Sequence, residues 1–264
     1  MADEVLYRVE DAVAVVTLNR PERLNAWTPS LESAYFDCLA EASESSGVAA
    51  VVVTGAGRGF CPGADMNYLQ ELGAGGTRER DPRPMTFPLQ VPKPMIAAIN
   101  GACAGLGLVQ ALMCDLRYAA AGAKFTTAFA RRGLVAEHGS SWLLPRLIGT
   151  SRALDLLLSG RVFTSEEARD LGVVNRVMPA DTVLSEAMAY ARDLAANCSP
   201  ASLAAMKAQV YRHLTVDLET AKRESDRLMG ISLTGPDFVE GVASFVEKRP
   251  PRFPALGQGT IFTP

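Results

Sequence analysis

Two short glycine-containing stretches, residues 60–65 and residues 100–107, have the types and spacing to do chemistry. Each follows an apolar run typical of a strand and opens a segment with the pattern of a helix. The first N–H groups of a helix have no partner within the helix and can hold an anion. Two such junctions that converge on one oxygen would form an oxyanion hole, which stabilises a developing enolate or tetrahedral intermediate. Glycine suits both stretches, because it permits positive φ and close approach of a ligand to the backbone.

Three motifs follow one another along the chain. They are residues 19–26 (Asn-Arg-Pro-Glu-Arg-Leu-Asn-Ala), residues 59–65 (Gly-Phe-Cys-Pro-Gly-Ala-Asp) and residues 100–115, which begin Asn-Gly and end Met-Cys-Asp. In this order and spacing they resemble the enoyl-CoA hydratase/isomerase (crotonase) family, over nearly the whole chain. The resemblance implies an α/β fold, a crotonase-like spiral of ββα units with a C-terminal helical trimerisation region, and an acyl-CoA thioester as the substrate.

The resemblance places the two oxyanion donors on the backbone N–H groups of Ala64 and Leu106. Leu106 stands where the family usually has glycine, so the donor is kept while the side chain narrows the cavity and restricts φ. The backbone of residues 64–67 is implied to hold the adenine and pantetheine end of CoA, although Asp65 is equally well explained as a helix N-cap. The implied substrate-binding positions are Arg23, Ala26, Gly63, Asp65, Met66, Asn67, Gly105, Val109, Phe129 and Trp142.

Hydratases of this family use two glutamates, which activate water and exchange its proton with a substrate carbon. By motif position, Val109 and Phe129 stand at these two places in this chain. Neither side chain can transfer a proton. Hydration by the usual pair of glutamates is therefore not expected.

A different acid is available at Glu137. Residues 133–145 resemble a segment of the family's enoyl-CoA isomerases, which carry one Asp or Glu at this position. One carboxylate suffices to remove a proton from C2 of a 3-enoyl thioester and to return it at C4, while the oxyanion hole holds the dienolate. An apolar wall of Val109 and Phe129 would desolvate the carboxylate and make it a stronger base. The alternative is an acid that interacts with a helix N-terminal dipole.

Other functions stay open. A hydratase, or a hydrolase acting on a β-dicarbonyl thioester, would need His138 to take part, but neighbours on a helix face different directions and His138 is expected to be structural. His213 is expected to be exposed. A non-catalytic member that binds acyl-CoA, or only builds an oligomer, is the alternative outside enzymes. The glycines of residues 55–59 do not have the spacing of a dinucleotide-binding motif.

Apolar patterns predict alternating strands and helices, and hence a parallel sheet built from βαβ units. Strands are predicted at residues 5–9, 13–18, 48–54, 95–99, 116–119 and 124–126. Helices are predicted from Ser30 to residue 42, over residues 106–113, after a capping box from Thr164 to Glu167, from Ser199-Pro200 onwards and over residues 236–247. We expect a crotonase-like core over residues 1–198 and a C-terminal helical region over residues 199–264.

Glycine, proline and charge between Leu72 and Val91 predict a mobile surface loop. Its arginines Arg78, Arg80 and Arg83 are most simply solvated, and contact with the phosphates of CoA is the alternative.

Composition narrows the remaining classes. The 264 residues are 48% hydrophobic, enough for a large core, and a net charge of −3 provides no basic field for nucleic acid or an anionic membrane. The five scattered cysteines lack metal-ligand spacing, and each is expected to be a small buried residue. We expect no metal and no cofactor besides the CoA of the substrate. Neither a signal peptide nor a spanning apolar run is seen, so a cytoplasmic protein is expected. The family resemblance implies a homotrimer or hexamer.

Overall fold

The computed structural model describes residues 3–77 and 81–257. The strands of these residues, in chain order, are β1 (Val5–Glu10), β2 (Val13–Leu18), β3 (Ala50–Gly55), β4 (Gly59–Cys61), β5 (Met95–Ile99), β6 (Ala102–Ala104), β7 (Leu116–Ala120), β8 (Lys124–Thr126), β9 (Phe163–Thr164) and β10 (Arg176–Met178). The α-helices are α1 (Pro29–Glu44), α2 (Met66–Gly73), α3 (Leu106–Leu112), α4 (Ser140–Ile148), α5 (Thr150–Ser159), α6 (Ser165–Leu171), α7 (Val183–Asn197), α8 (Pro200–His213), α9 (Leu218–Ser232) and α10 (Pro236–Glu247).

The first half of the chain repeats the order strand, strand, helix. The larger sheet has the order β1-β2-β3-β5-β7-β10, and the smaller one β4-β6-β8-β9. Only β1–β2 and β8–β9 pair antiparallel among these strands. From β3 onwards each successive pair gives one strand to each sheet. The chain therefore advances as a spiral of ββα turns, which is the expected α/β fold.

The central strands β3 and β5 are buried along their whole length. Helices α1 and α7 pack on the larger sheet, so apolar runs without alternation are favourable there. Strands 13–18, 95–99 and 124–126 were predicted with their observed bounds, whereas the run predicted at residues 48–54 forms a strand from Ala50 to Gly55.

Helix α1 begins earlier than its predicted start at Ser30. The Thr28 hydroxyl accepts the N–H of Leu31 at 3.2 Å and caps the helix, with Pro29 in the first helical position. Proline has a fixed φ suited to that position and lacks an N–H that would go unpaired. The Thr164 cap of α6, the Ser199 cap of α8 and the bounds of α10 are confirmed.

Helix α8 is attached to the larger sheet through Asp115. The carboxylate accepts hydrogen bonds from Lys207 at 2.8 Å and from the Tyr211 hydroxyl at 3.1 Å, both on α8, and from the N–H of Met95 at 2.7 Å. His213, expected to be exposed, is half-buried, with Nε2 3.4 Å from Oε2 of Glu224 on α9. The helices found in the described ranges are all too short or too polar to cross a membrane.

Candidate active site

A cavity of about 400 Å³ opens where the β4–α2 and β6–α3 junctions face the segment after β8. Eleven of the predicted site residues line it: Arg23, Ala26, Gly63, Ala64, Asp65, Met66, Asn67, Gly105, Leu106, Phe129 and Glu137. Residues brought together from five separate parts of the sequence thus share one space.

The two glycine-containing junctions touch each other. Gly63 has φ +102° and Gly105 has φ +47°, conformations that side chains rarely adopt. A Cβ built on Gly63 would lie 3.1 Å from the Ala104 carbonyl oxygen and 3.5 Å from the Leu106 nitrogen. Both glycines therefore allow the junctions to approach to backbone distance.

The backbone positions of Ala64 and Leu106 keep their N–H groups out of the adjoining strand pairing and of the hydrogen bonds within α3. Trp27 donates its N–H to the Gly63 carbonyl at 2.8 Å and accepts the Asp65 N–H at 2.9 Å, a bridge that leaves the N–H of Ala64 on the opposite side. Leu106 is the first residue of α3, where an N–H has no partner within the helix. The role of the two N–H groups as an oxyanion hole stays a prediction.

Helix α3 presses against β4 and so fixes this spacing. A Cβ on Gly107 would clash with the carbonyl oxygen of Cys61. All seven residues of α3 are buried, and the Leu106 side chain is 8% exposed at the cavity wall. The narrowing of the cavity by Leu106 stays a prediction.

Arg20 and Asn25 of the first motif, to which the sequence assigned no role, form a scaffold for the cavity wall. Asn25 is fully buried and donates to the Gly59 and Ala56 carbonyls at 2.8 and 3.0 Å. The Arg20 guanidinium donates to the Ala26 carbonyl at 2.6 Å and to the Asp65 carboxylate at 3.2 Å. These contacts hold Ala26 and Asp65 in the cavity wall.

Asp65 is committed to structure. One carboxylate oxygen accepts the Asn67 N–H at 3.0 Å and caps α2, which confirms the expected cap, and the other pairs with Arg20. The other carboxylate of the cavity wall is that of Glu137.

Glu137 lies outside a helix. Helix α4 begins at Ser140, whose N–H donates to the Glu137 carbonyl at 3.0 Å, so the carboxylate is not in a first helical turn as the dipole alternative requires. The side chain is 25% exposed at the cavity.

His138 was predicted to face away from Glu137, and this is wrong. Its Nε2 lies 3.4 Å from Oε2 of Glu137, and its side chain is 16% exposed. The prediction assumed a helical backbone, but His138 has φ +51°. In this left-handed conformation the two neighbouring side chains meet.

Two predicted binding residues are not in the cavity wall. Val109 is 1% exposed on α3 and belongs to the core. Trp142 lies on α4, half-buried, with the Arg146 guanidinium 4.0 Å from its ring centroid. Phe129 does line the cavity, so the proposed apolar wall beside Glu137 consists of Phe129, Leu106 and Leu134 instead of Val109.

Sequence analysis missed several wall residues, because nothing in their type singled them out. They are Pro62, Tyr68, Leu69, Leu72, Thr127, Ala128, Arg132 and Leu134. Arg132 adds a cation to the segment that carries Glu137. The resemblance of residues 133–145 to the family's isomerases pointed to Glu137, whereas Thr127, Ala128 and Arg132 carry no such signal.

Arg83 is not solvated as predicted. Its guanidinium pairs with Asp81 and Asp37, each at 2.7 Å, and lies 5.6 and 5.7 Å from the ring centroids of Phe36 and Phe87. These contacts attach the loop after α2 to α1. Arg78 and Arg80 lie outside the described residues.

The buried cysteines do not provide a nucleophile for the cavity. Burial raises the pKa of Cys61 to about 12 and that of Cys103 well above its ordinary value, so both remain thiols. Within residues 3–77 and 81–257, three or more His, Cys, Asp or Glu side chains are nowhere grouped as a metal ion would require.

Two curated relatives align with almost the entire chain. The 1,2-epoxyphenylacetyl-CoA isomerase of Escherichia coli strain K12 is 36% identical over 263 residues, covering 96% of this chain and 99% of that protein. A probable enoyl-CoA hydratase of Rhodobacter capsulatus is 34% identical over 252 residues, covering 94% and 97%.

Solved structures give the same picture. A probable enoyl-CoA hydratase/isomerase from Mycobacterium abscessus superposes with a TM-score of 0.88 at 30% identity, covering 95% of this chain and 98% of that one. An enoyl-CoA hydratase, EchA12_1, from Mycobacterium marinum is 49% identical with a TM-score of 0.69, covering 79% and 97%. A model of the enoyl-CoA hydratase/isomerase family matches residues 8–255. The expected fold is thereby confirmed, and the chain belongs to the enoyl-CoA hydratase/isomerase family.

Proposed function

We propose that this protein is an acyl-CoA isomerase that converts a 3-enoyl-CoA to the conjugated 2-enoyl-CoA. Glu137 is the base that moves the proton, and the N–H groups of Ala64 and Leu106 hold the thioester oxygen. The observation that carries the proposal is that Glu137 is available in the cavity wall while Asp65 is held by a cap and by Arg20.

The reaction needs one group that both accepts and returns a proton. The Glu137 carboxylate takes a proton from C2, and the electron pair moves into a dienolate whose oxygen accepts the two backbone N–H groups. The same carboxyl then delivers the proton to C4, and the double bond forms between C2 and C3. Phe129, Leu106 and Leu134 give the cavity that holds this carboxylate an apolar part of its wall.

The remainder of the wall suits the CoA part of the substrate. Met66 and Asn67 begin α2 beside the proposed oxyanion hole, and Arg23 and Ala26 line the cavity from the first motif. In this proposal CoA enters only with the substrate, and neither a metal ion nor another cofactor takes part.

The names of the relatives support a reaction on an acyl-CoA but do not distinguish isomerisation from hydration. One curated relative is an isomerase of an aryl-epoxide thioester, and others are called hydratases. We therefore propose isomerisation on the residues of this cavity, and 1,2-epoxyphenylacetyl-CoA belongs in the panel of substrates.

The Glu137→Gln variant tests the proposal. Gln keeps the size of the side chain and removes the base, so kcat for a 3-enoyl-CoA should fall by roughly 10²-fold or more. Glu44→Gln, which changes an exposed carboxylate at the end of α1, is the matched control and should leave kcat unchanged. Equal activity of wild type and Glu137→Gln would exclude Glu137 as the base. Binding without turnover across the panel would favour the non-catalytic alternative.

The hydratase or β-dicarbonyl hydrolase remains the second candidate, because His138 contacts Glu137 and could act as a second proton-transfer group. It requires that replacing His138 alone abolishes turnover. Survival of turnover in a His138 variant would exclude it.

A further inference from the structure

We propose that His138 is a positioning residue that holds the Glu137 carboxylate in the cavity through Nε2. This inference rests on the proposed isomerase function, in which Glu137 is the base. Nothing in the isomerisation itself requires a second side chain, so the contact calls for a separate explanation.

The backbone that joins the two residues is a tight turn. The Ser140 N–H donates to the Glu137 carbonyl at 3.0 Å, and the central residues His138 and Gly139 have φ +51° and +81°. Two successive positive φ values with this hydrogen bond are those of a type I′ turn. The first central position of such a turn favours Asn, Asp or Gly.

Histidine is not among these three residues, although it adopts positive φ more often than most residues with a side chain. A left-handed φ brings the Cβ of any such residue close to the following carbonyl oxygen. Strain of this kind next to a functional group points to a role for the side chain that bears it. Here the side chain of His138 contacts Glu137, the base of the proposed reaction.

The turn also explains why the two side chains meet. In a helix or a strand, neighbouring side chains diverge. With His138 left-handed, Nε2 lies 3.4 Å from Oε2 of Glu137, and both side chains are largely covered, at 16% and 25% exposure. A contact shielded from water is stronger than the same contact at the surface.

The proposed role of His138 follows from the conformational freedom of the Glu137 side chain. Its carboxylate hangs on three rotatable bonds, and it must be placed against both C2 and C4. An imidazole whose Nε2 lies against Oε2, 3.4 Å away, restricts these rotations and leaves Oε1 to take and return the proton. His138 gives up no proton in this role. A misplacement of about 1 Å can cost on the order of 10²-fold in rate.

Two substitutions separate the imidazole from the turn. Asn favours the turn, so His138→Asn should keep the melting temperature while kcat falls by roughly 10- to 100-fold at nearly constant KM. Gln places an amide N–H near the position of Nε2, so His138→Gln should recover most of kcat.

Three results would overturn the inference. Unchanged kcat in His138→Asn would show that the imidazole does not position the base. Turnover abolished in both variants, to the level of Glu137→Gln, would make His138 a proton-transfer group, as the second candidate function requires. Full activity of Glu137→Gln, assayed in parallel, would remove the proposed function and this inference with it.

Discussion

Gly63 shows most clearly how single residues determine this site. Its φ is +102°, which strains any residue with a side chain, and a Cβ at this position would lie only 3.1 Å from the Ala104 carbonyl oxygen, which would have to move by a few tenths of an ångström. Gly63→Ala should push the two junctions apart and displace the oxyanion donors. Loss of one such donor lowers kcat by about 10²–10³-fold, and we expect a loss of this size.

Gly73→Ala is the matched control for this substitution. Gly73 ends α2 without positive φ, and a Cβ there would meet no atom within 4 Å. The control should keep both kcat and melting temperature. If Gly63→Ala retained wild-type kcat, the donors would not lie where we place them.

The same scale explains which site residues could be foreseen. The candidate backbone donors could be predicted from the glycine-containing motifs, because N–H groups at the start of a helix do not depend on side-chain conformation. The contact of His138 with Glu137 could not be predicted, because it depends on a positive φ that the sequence does not indicate. Val109 lies on α3, a helix that is buried on all sides. Such a helix has no polar face to indicate which of its residues line the cavity.

At the scale of elements, the Asp81–Arg83 pair attaches the loop after α2 to α1. The hydrogen bond from Arg83 lowers the pKa of Asp81 to about 2. An unfolded Asp has a pKa of about 3.9, so the contribution of the pair to the free energy of unfolding is complete above that pH. It is lost as the pH falls towards 2, because the unfolded chain takes up a proton that the folded one does not.

The free energy of unfolding measured between pH 5 and pH 3 checks this sign. It should fall less steeply with pH in Asp81→Asn than in wild type. Asp181→Asn, at an exposed carboxyl, should keep the wild-type slope. Equal slopes in wild type and Asp81→Asn would mean that the pair does not contribute to stability.

Elements also divide into those that local patterns determine and those that they do not. The bounds of β2, β5 and α10 follow from apolar runs and caps that lie within the element. The attachment of Arg83 depends on Asp37 and Phe36 of α1, which lie more than forty positions earlier in the chain. Such contacts are long-range, and periodicity contains no information about them.

At the scale of the whole molecule, the last three helices leave apolar side chains uncovered. Phe245 is 85% exposed and Val246 72%, beside a groove of about 630 Å³ between α8 and α10. Apolar patches of this kind mark association surfaces. We propose that they assemble the predicted trimer or hexamer, and the division at residue 198 stays a prediction as well.

Light scattering should therefore give a mass of three or six chains of 28.1 kDa each. Phe245→Asp places a charge in the patch and should shift the protein towards monomer. Leu6→Asp, at an exposed apolar residue of β1, should leave the mass unchanged. A monomeric wild type would remove the assigned role of the C-terminal helices.

The identity of the product tests the central claim most directly. Wild-type protein is incubated with a 3-enoyl-CoA, the products are followed by NMR, and Glu137→Gln is measured beside it. We predict that the 2-enoyl-CoA forms without a 3-hydroxyacyl-CoA, and that Glu137→Gln forms neither. Accumulation of the 3-hydroxyacyl-CoA, or isomerisation by Glu137→Gln at the wild-type rate, would contradict a single-carboxylate isomerase.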